Sequence, residues 1–349
     1  MADPTTHSSP SCGFLSPDYE SIFNSLKHDF LNSTGNNILS NLTNEFIASY
    51  DLPVKCSKLK HKLFCLHLNI QSLNAKLIEF CNFITEINST CASEIDVIAL
   101  SEIWSTNVSF FQNILPGYTF IYDLPSNSRT GGVAFFVNNT VTILDTVDKL
   151  STSSDCQVES LFLRLKKKNE IFIAGVIYRH PSDKVNNFIN CLEACLDKLS
   201  TRNDTFLFGD FNLNLLNYGI DASVTKFADV MLMNNFMPVI LLPTRVTNAS
   251  FSLIDHIYIR ESATHRNSIS ICAGNVIDKL SDHFPNFFIL RAPDIESRNN
   301  NRPLIRLFND RNKASFTAKL SIINWLQVTL LGVLTFYQCA NLWRVLPLL

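Results

Sequence analysis

Eight residues carry the chemistry this sequence could perform: Asn69, Glu102, Tyr178, Asp210, Asn212, Asp255, Asp282 and His283. Each stands at or just past the end of an apolar run, where a rigid scaffold can present side chains into a shared cleft. The sharpest local pattern is Phe208-Gly209-Asp210-Phe211-Asn212. A glycine there allows a tight backbone turn, and an Asp and an Asn two residues apart project to the same side of an extended segment, so one carboxylate and one amide face one ligand. An Asx-turn would use the same residues equally well. Asp282-His283 follows Leu280-Ser281 and precedes FPNFFIL, so its imidazole emerges at a strand start, where a carboxylate from a neighbouring strand can fix its tautomer. Asp255-His256 is a second pair of the same kind. Taken singly, Asn69 reads as a strand-end hydrogen-bonder and Glu102 as an exposed charge with Trp104 packed behind it.

The elements that must position these residues lie between about 62 and 291. Short apolar runs bounded by turn residues read as strands: FCLHLNI, IDVIAL, GGVAFFV, SLFLRL, IFIAGVIY, TFLFGDF, FMPVILL, SLIDHIYI and FPNFFIL. Helical patterns lie around Leu77 to Ile87 and Lys184 to Leu199. The predicted class is α/β, and runs that are apolar on both faces imply sheets covered on both sides. Residues 1–60 are polar and rich in Ser, Asn and Thr, and read as a loosely attached arm. One amphipathic stretch in it starts at Ser16-Pro17 and carries Ile22, Phe23, Leu26 and Phe30 on one side. Residues 293–349 read as a polar linker, IESRNNNRP, and a hydrophobic tail whose stretch from Ser321 to Trp343 holds no charge. Asn324, Gln327 and Gln338 interrupt that stretch, so a membrane anchor is the minority reading.

Composition narrows the function. With 46% hydrophobic and 17% charged residues the chain has apolar mass enough to fold. Its 29 Lys+Arg against 31 Asp+Glu give a net charge of -2, so no global field holds a polyanion and any phosphate chemistry must be local. Ten scattered cysteines without paired CxxC knuckles, and a start, MADPTTHSSPSCGF, without a secretory signal, point to a reducing intracellular compartment, nucleus or cytoplasm. The sequons at Asn41 and Asn203 are then chance products of composition.

Taken together and in order, HLNIQSLNAKL, ALSEIW, RTGGVAFFVNN, GVIYRHPS, FLFGDFNLNLL, LPTRVTNASFSLIDHIYI and LSDHFP resemble the endonuclease/exonuclease/phosphatase superfamily, within it the endonuclease domain of non-LTR retrotransposons. The resemblance spans about residues 61–292. It implies a deoxyribonuclease-I-like fold: two mixed β-sheets packed face to face and flanked by helices in a four-layer α/β sandwich. It also implies that Glu102 is the carboxylate ligand of Mg²⁺, or of Mn²⁺ as substitute, with Asn69 hydrogen-bonding beside it and Asp282 an outer or second metal position. Asp210 would orient and deprotonate the attacking water and Asn212 would hold that water or a phosphate oxygen. His283, buttressed by Asp255, and Tyr178 would contact the phosphoryl oxygens. Ser281 would lie close to the phosphate and Thr247 would touch DNA. Arg-His-Pro-Ser after Tyr178 departs from the repair nucleases of the superfamily, which disfavours an abasic-site specialist.

The expected activity is Mg²⁺-dependent nicking of DNA, with DNA as partner and no stable protein partner. In a complete element a reverse transcriptase would follow, and none does in these 349 residues. Two alternatives stand beside it: a phosphatase or phosphodiesterase acting on another phosphate ester, since one fold serves many substrates, and an inactive retroelement remnant acting as a binding module.

Overall fold

The computed structural model describes residues 24, 27, 28, 30, 42–57, 61–91, 94–105, 107–124, 130–147, 158–247, 250–262 and 270–291. A seven-stranded sheet has the order β1 (Leu42–Ala48), β14 (Ile271–Ile277), β15 (Asn286–Arg291), β2 (His61–Asn69), β3 (Val97–Ser101), β5 (Val133–Asn138), β4 (Tyr118–Asp123). A six-stranded sheet has the order β10 (Met237–Pro238), β13 (Asp255–Arg260), β9 (Asp204–Asp210), β8 (Glu170–Tyr178), β7 (Glu159–Lys167), β6 (Thr142–Val147). A small hairpin pairs β11 (Arg245–Val246) with β12 (Phe251–Ser252). The helices among the described residues that exceed one turn are α1 (Leu52–Ser57), α2 (Leu77–Thr90), α3 (Val185–Leu196) and α4 (Ala222–Met233).

Alternation along each strand sets the layers. In β2, Leu63 and Cys65 face the other sheet, while Phe64, Leu66 and Leu68 turn outward to Phe80, Phe83, Ile84 and Ile87 of α2. In the six-stranded sheet Phe206 and Phe208 face inward and stack on Phe288 at 5.1 and 5.9 Å between ring centroids. His256 and Tyr258, of opposite parity to Asp255, meet Phe227 of α4 on the outer face at 6.1 and 5.9 Å. The order is thus helix, sheet, sheet, helix, the four-layer α/β sandwich that the resemblance implies. Phe208 is fully buried between the sheets, and Phe208→Ala would cost about 3–5 kcal/mol.

Register turns one end of this apolar interface polar. Glu159 lies opposite Tyr178, Tyr178 opposite Asp210, and Asp210 opposite Asp255, so four inward-facing polar residues form one row across β7, β8, β9 and β13. On the facing sheet Asn275 lies opposite Asn286 and Asn286 opposite His67.

Several expectations need correction. Part of the loosely attached arm of 1–60 is built into the sandwich: β1 pairs in parallel with β14, Leu42 opposite Ile271, and Leu42 and Ile47 are buried. Its polar residues fall mostly on partly exposed positions of an edge strand, which masked it as a strand. Phe30 of the expected amphipathic stretch is buried 5.1 Å from Tyr218. Gly209 sits inside β9 rather than in a turn; its φ of 153° brings it against the Ile177 carbonyl, which any Cβ would overlap. FMPVILL forms only the two-residue β10, and Val239 to Leu241 are buried beyond it. The strands β4, β6 and β14 and the helix α4 were not foreseen. The linker and tail expected over 293–349 lie outside the described residues. No helix among the described residues is long and apolar enough to cross a membrane.

Candidate active site

Asn69, at the end of β2, joins the two sheets. Its amide nitrogen donates to Glu102 Oε1 at 2.8 Å and to Asp210 Oδ2 at 2.9 Å, while its Oδ1 accepts the Gln71 N–H at 3.2 Å. Asn69 therefore turns nitrogen, not oxygen, toward the two carboxylates. Glu102 leaves β3 in a left-handed turn with φ 56°, and its carbonyl accepts the Ser72 N–H at 2.9 Å. Gln71, Ser72, Trp104 and Asn212 share this positive φ. Such conformations cost ~1–3 kcal/mol each and persist where the surroundings dictate them, characteristically around active sites.

Asp210 is 1% exposed, and its Oδ1 accepts the Asn212 N–H at 2.9 Å. Burial, and then the charge of Asp255, push its carboxyl up to about 8, against the opposing pull of His283 and of that N–H. Asn212 Nδ2 donates to the Arg179 carbonyl at 2.8 Å. The Arg179 guanidinium is buried and donates to the carbonyls of Phe211, Asn212, His180 and Asp183 at 2.6, 2.7, 3.1 and 2.9 Å, fixing the loop that carries Asn212. Burial and the carboxylates of Glu102 and Asp210 raise the Tyr178 hydroxyl far above its ordinary value, so it remains a proton donor.

His283 Nδ1 lies 2.7 Å from Asp255 Oδ2, and Thr244 Oγ1 donates to the same oxygen at 2.7 Å. Desolvation disfavours the imidazolium, but the charge and hydrogen bond of Asp255, helped by Asp210 and Asp282, outweigh it and push His283 up to about 9. Burial likewise works against the Asp255 charge, yet His283 holds that carboxyl below the ordinary range. Behind this pair His67 lies 3.3 Å from Asn286 Oδ1 and 3.2 Å from Ser101 Oγ. Asn286 donates to Asn275 at 2.8 Å, and Asn275 to the Pro243 carbonyl at 2.6 Å, steadying the chain just before Thr244.

The structure thus brings together Asn69, Glu102, Tyr178, Asp210, Asn212, Asp255 and His283. Asp282 stands at the rim, 38% exposed in its side chain, ion-paired to Arg245 at 2.6 Å and 3.8 Å from His283 Nε2. Ser281 Oγ accepts the His283 N–H at 3.3 Å. Thr247 lies outside the cluster, exposed in the β11–β12 turn and bonded to Ser250. Sequence reasoning missed His67, Arg179, Thr244, Asn275, Asn286 and Glu159. For His67 and Glu159 a signal existed, parity with Asn69 along β2 and the polar start of an apolar strand.

Asp210, Asp255 and His283 offer ligand atoms within 4.8 Å of one another, but the His283–Asp255 hydrogen bond already engages two of these groups. Glu102, joined to Asp210 through Asn69, is the carboxylate left to face a cation. Three carboxylates, Glu102, Asp210 and Asp255, converge on one imidazolium, and the neutral form of Asp210 is favoured for want of positive charge. A set of hard oxygens short of cation fits Mg²⁺ or Mn²⁺ rather than a thiophilic metal.

Sequence comparison matches the Endonuclease/Exonuclease/phosphatase family over residues 66–283. No curated protein matches the sequence. Among solved structures, an endonuclease/exonuclease/phosphatase family protein from Bacteroides thetaiotaomicron superposes with a TM-score of 0.51 at 16% identity, covering 65% of this chain and 94% of that one. The endonuclease domain of TRAS1, a telomere-specific non-LTR retrotransposon, gives 0.50 at 14% identity over 66% and 98%. D. rerio TDP2 complexed with single-strand DNA product gives 0.51 at 14% over 66% and 99%. At these identities the likeness establishes the fold, the deoxyribonuclease-I-like sandwich.

Proposed function

We propose that this chain, which belongs to the endonuclease/exonuclease/phosphatase family of phosphoesterase hydrolases, is a divalent-metal-dependent endonuclease that nicks DNA by hydrolysing a phosphodiester bond. The observation that carries the reading is the convergence, at one end of the sandwich, of the Asn69-bridged Glu102 and Asp210 with the Asp255–His283 pair. DNA is favoured as substrate by the LPTRVT and SLIDHI wording and by the likeness to the TRAS1 endonuclease domain.

Glu102 would hold the cation, which when bound supplies Lewis-acid stabilisation of phosphate charge. Asp210 accepts the proton of the attacking water. Burial suits it to that role by raising its basicity toward neutrality. Asn69 fixes the carboxylate of Asp210, and the left-handed Asn212 presents its polar group beside it. The His283 imidazolium, charged near neutrality and steadied by Asp255 and Thr244, donates to a phosphoryl oxygen as charge builds. Tyr178 keeps its proton and donates from the other side of Asp210.

The test incubates the full chain with supercoiled plasmid and with a phosphomonoester, in Mg²⁺, in Mn²⁺ and in chelator. Open-circle product that requires the metal is expected. Release of phosphate from the monoester with the plasmid left intact would overturn the DNA assignment and favour a phosphatase.

A further inference from the structure

The polar row across the six-stranded sheet holds one member that the chemistry above leaves unused. Glu159 begins β7, directly opposite Tyr178, and is 8% exposed. An ionised carboxylate so buried requires partners. It faces the segment just before β5, where Gly131 and Gly132 both hold left-handed φ, 92° and 86°. The Glu159 carboxylate accepts the Gly132 N–H, and a side chain at Gly131 would overlap that carboxylate. The two glycines in turn carry the chain that follows Glu102: the Gly132 carbonyl accepts the Ile103 N–H at 3.2 Å and the Gly131 carbonyl accepts the Trp104 N–H at 2.9 Å. Glu102 and Trp104, at φ 56° and 47°, are strained turns that these bonds hold in place.

We propose that Glu159 is a positioning residue for Glu102, an inference that rests on reading Glu102 as the carboxylate that holds the divalent cation. Its carboxylate anchors the Gly131–Gly132 segment, the glycine carbonyls anchor Ile103 and Trp104, and the Glu102 side chain is thereby aimed at Asn69. Glu159 touches neither substrate nor cation. Buried partners one step behind a ligand characteristically set metal affinity by 10- to 100-fold.

Binding of Mn²⁺ to the full chain, followed by the electron paramagnetic resonance of the free ion, tests this without any turnover. Wild type should bind, and Glu102→Ala should abolish the site. Glu159→Ala should weaken Mn²⁺ binding about 10- to 100-fold, while plasmid nicking at saturating metal stays within about threefold of wild type, since a ligand-positioning residue acts on binding before chemistry. Glu159→Gln retains an acceptor for the Gly132 N–H and should restore binding to within about threefold. Glu159→Asp keeps the charge but falls one methylene short, and should bind as weakly as the alanine variant. Should Glu159→Ala fail to unfold cooperatively, the Gln and Asp variants decide. Asp binding like wild type, or Gln binding as poorly as Asp, would overturn the positioning role. Wild type that binds no Mn²⁺ through Glu102 would instead overturn the metal-site reading itself.

Discussion

The Asp255–His283 pair should behave as one unit in both stability and rate. Both side chains are nearly inaccessible, at 1% and 4%, and share a 2.7 Å hydrogen bond. Asp255 Oδ2 takes a second, from Thr244, also at 2.7 Å. His283→Ala leaves a buried carboxylate whose cation is gone, and Asp255→Ala leaves an imidazolium without its counter-charge. Breaking one partner of a buried pair costs about 3–5 kcal/mol, because the remaining charge is uncompensated. In the double variant nothing is left uncompensated, so the two losses should fall short of additivity by about 2–3 kcal/mol. The same logic governs nicking: an aspartate that only orients and charges an imidazole has no role once the imidazole is absent, so the double variant should turn over scarcely more slowly than His283→Ala. Urea unfolding of the four proteins at pH 7, with kcat/KM on plasmid, closes the cycle. Additive losses in both measurements, with coupling under about 0.5 kcal/mol, would show that proximity here is not cooperation.

Asp210→Asn keeps volume but removes the base, and should lower nicking about 10²- to 10⁴-fold; a rate within twofold of wild type would refute the role. Glu102→Ala should show its loss mainly as a raised metal requirement, read from nicking against Mg²⁺ concentration, and an unchanged metal midpoint would refute it. His256, boxed by Phe211, Phe227 and Tyr258, is pushed down by burial to about 4, so the folded chain refuses a proton that the unfolded chain takes below 6.5. Stability should therefore fall by about 1.4 kcal/mol per pH unit as acid is added from 6.5 toward 4, and comparison of urea midpoints with His256→Gln should remove one proton from that slope. A chain trimmed to residues 61–291 loses β1 and α1, which bares the edge of β14, and should unfold at lower urea and aggregate more than one trimmed to 42–291; equal midpoints would return residues 42–57 to the status of an arm.

Most inner strands were legible because their apolar runs are long and uninterrupted, as in FCLHL, VAFFV and IFIAGVIY. What escaped has physical reasons. β14 reads ICAGNVI, and its Gly and Asn look like a turn, yet Asn275 points inward to donate to Pro243. β6 is an edge strand with five of its six side chains partly or largely in solvent beside polar neighbours, so no apolar run marks it. FMPVILL is the reverse case, a fully apolar run in which Pro238 and Pro243 break the ladder and burial comes from the core rather than from pairing.

The site was legible as a set of residues and not as a geometry, because its geometry is a consequence of register. Tyr178, Asp210 and Asp255 meet only because Val176, Phe208 and Ile257, one pleat earlier, lie opposite one another and bury the same inner face. A slip of one residue between β8 and β9 would turn Asp210 to the helices and Phe208 out of its stack on Phe288. The apolar residues therefore specify the catalytic row, and the row could not be read from the polar residues alone. Glu159 shows the same dependence: its glutamate looks like an ordinary strand start until β7 is placed opposite β8. Only then does it face Gly132, and only through Gly132 does it bear on Glu102.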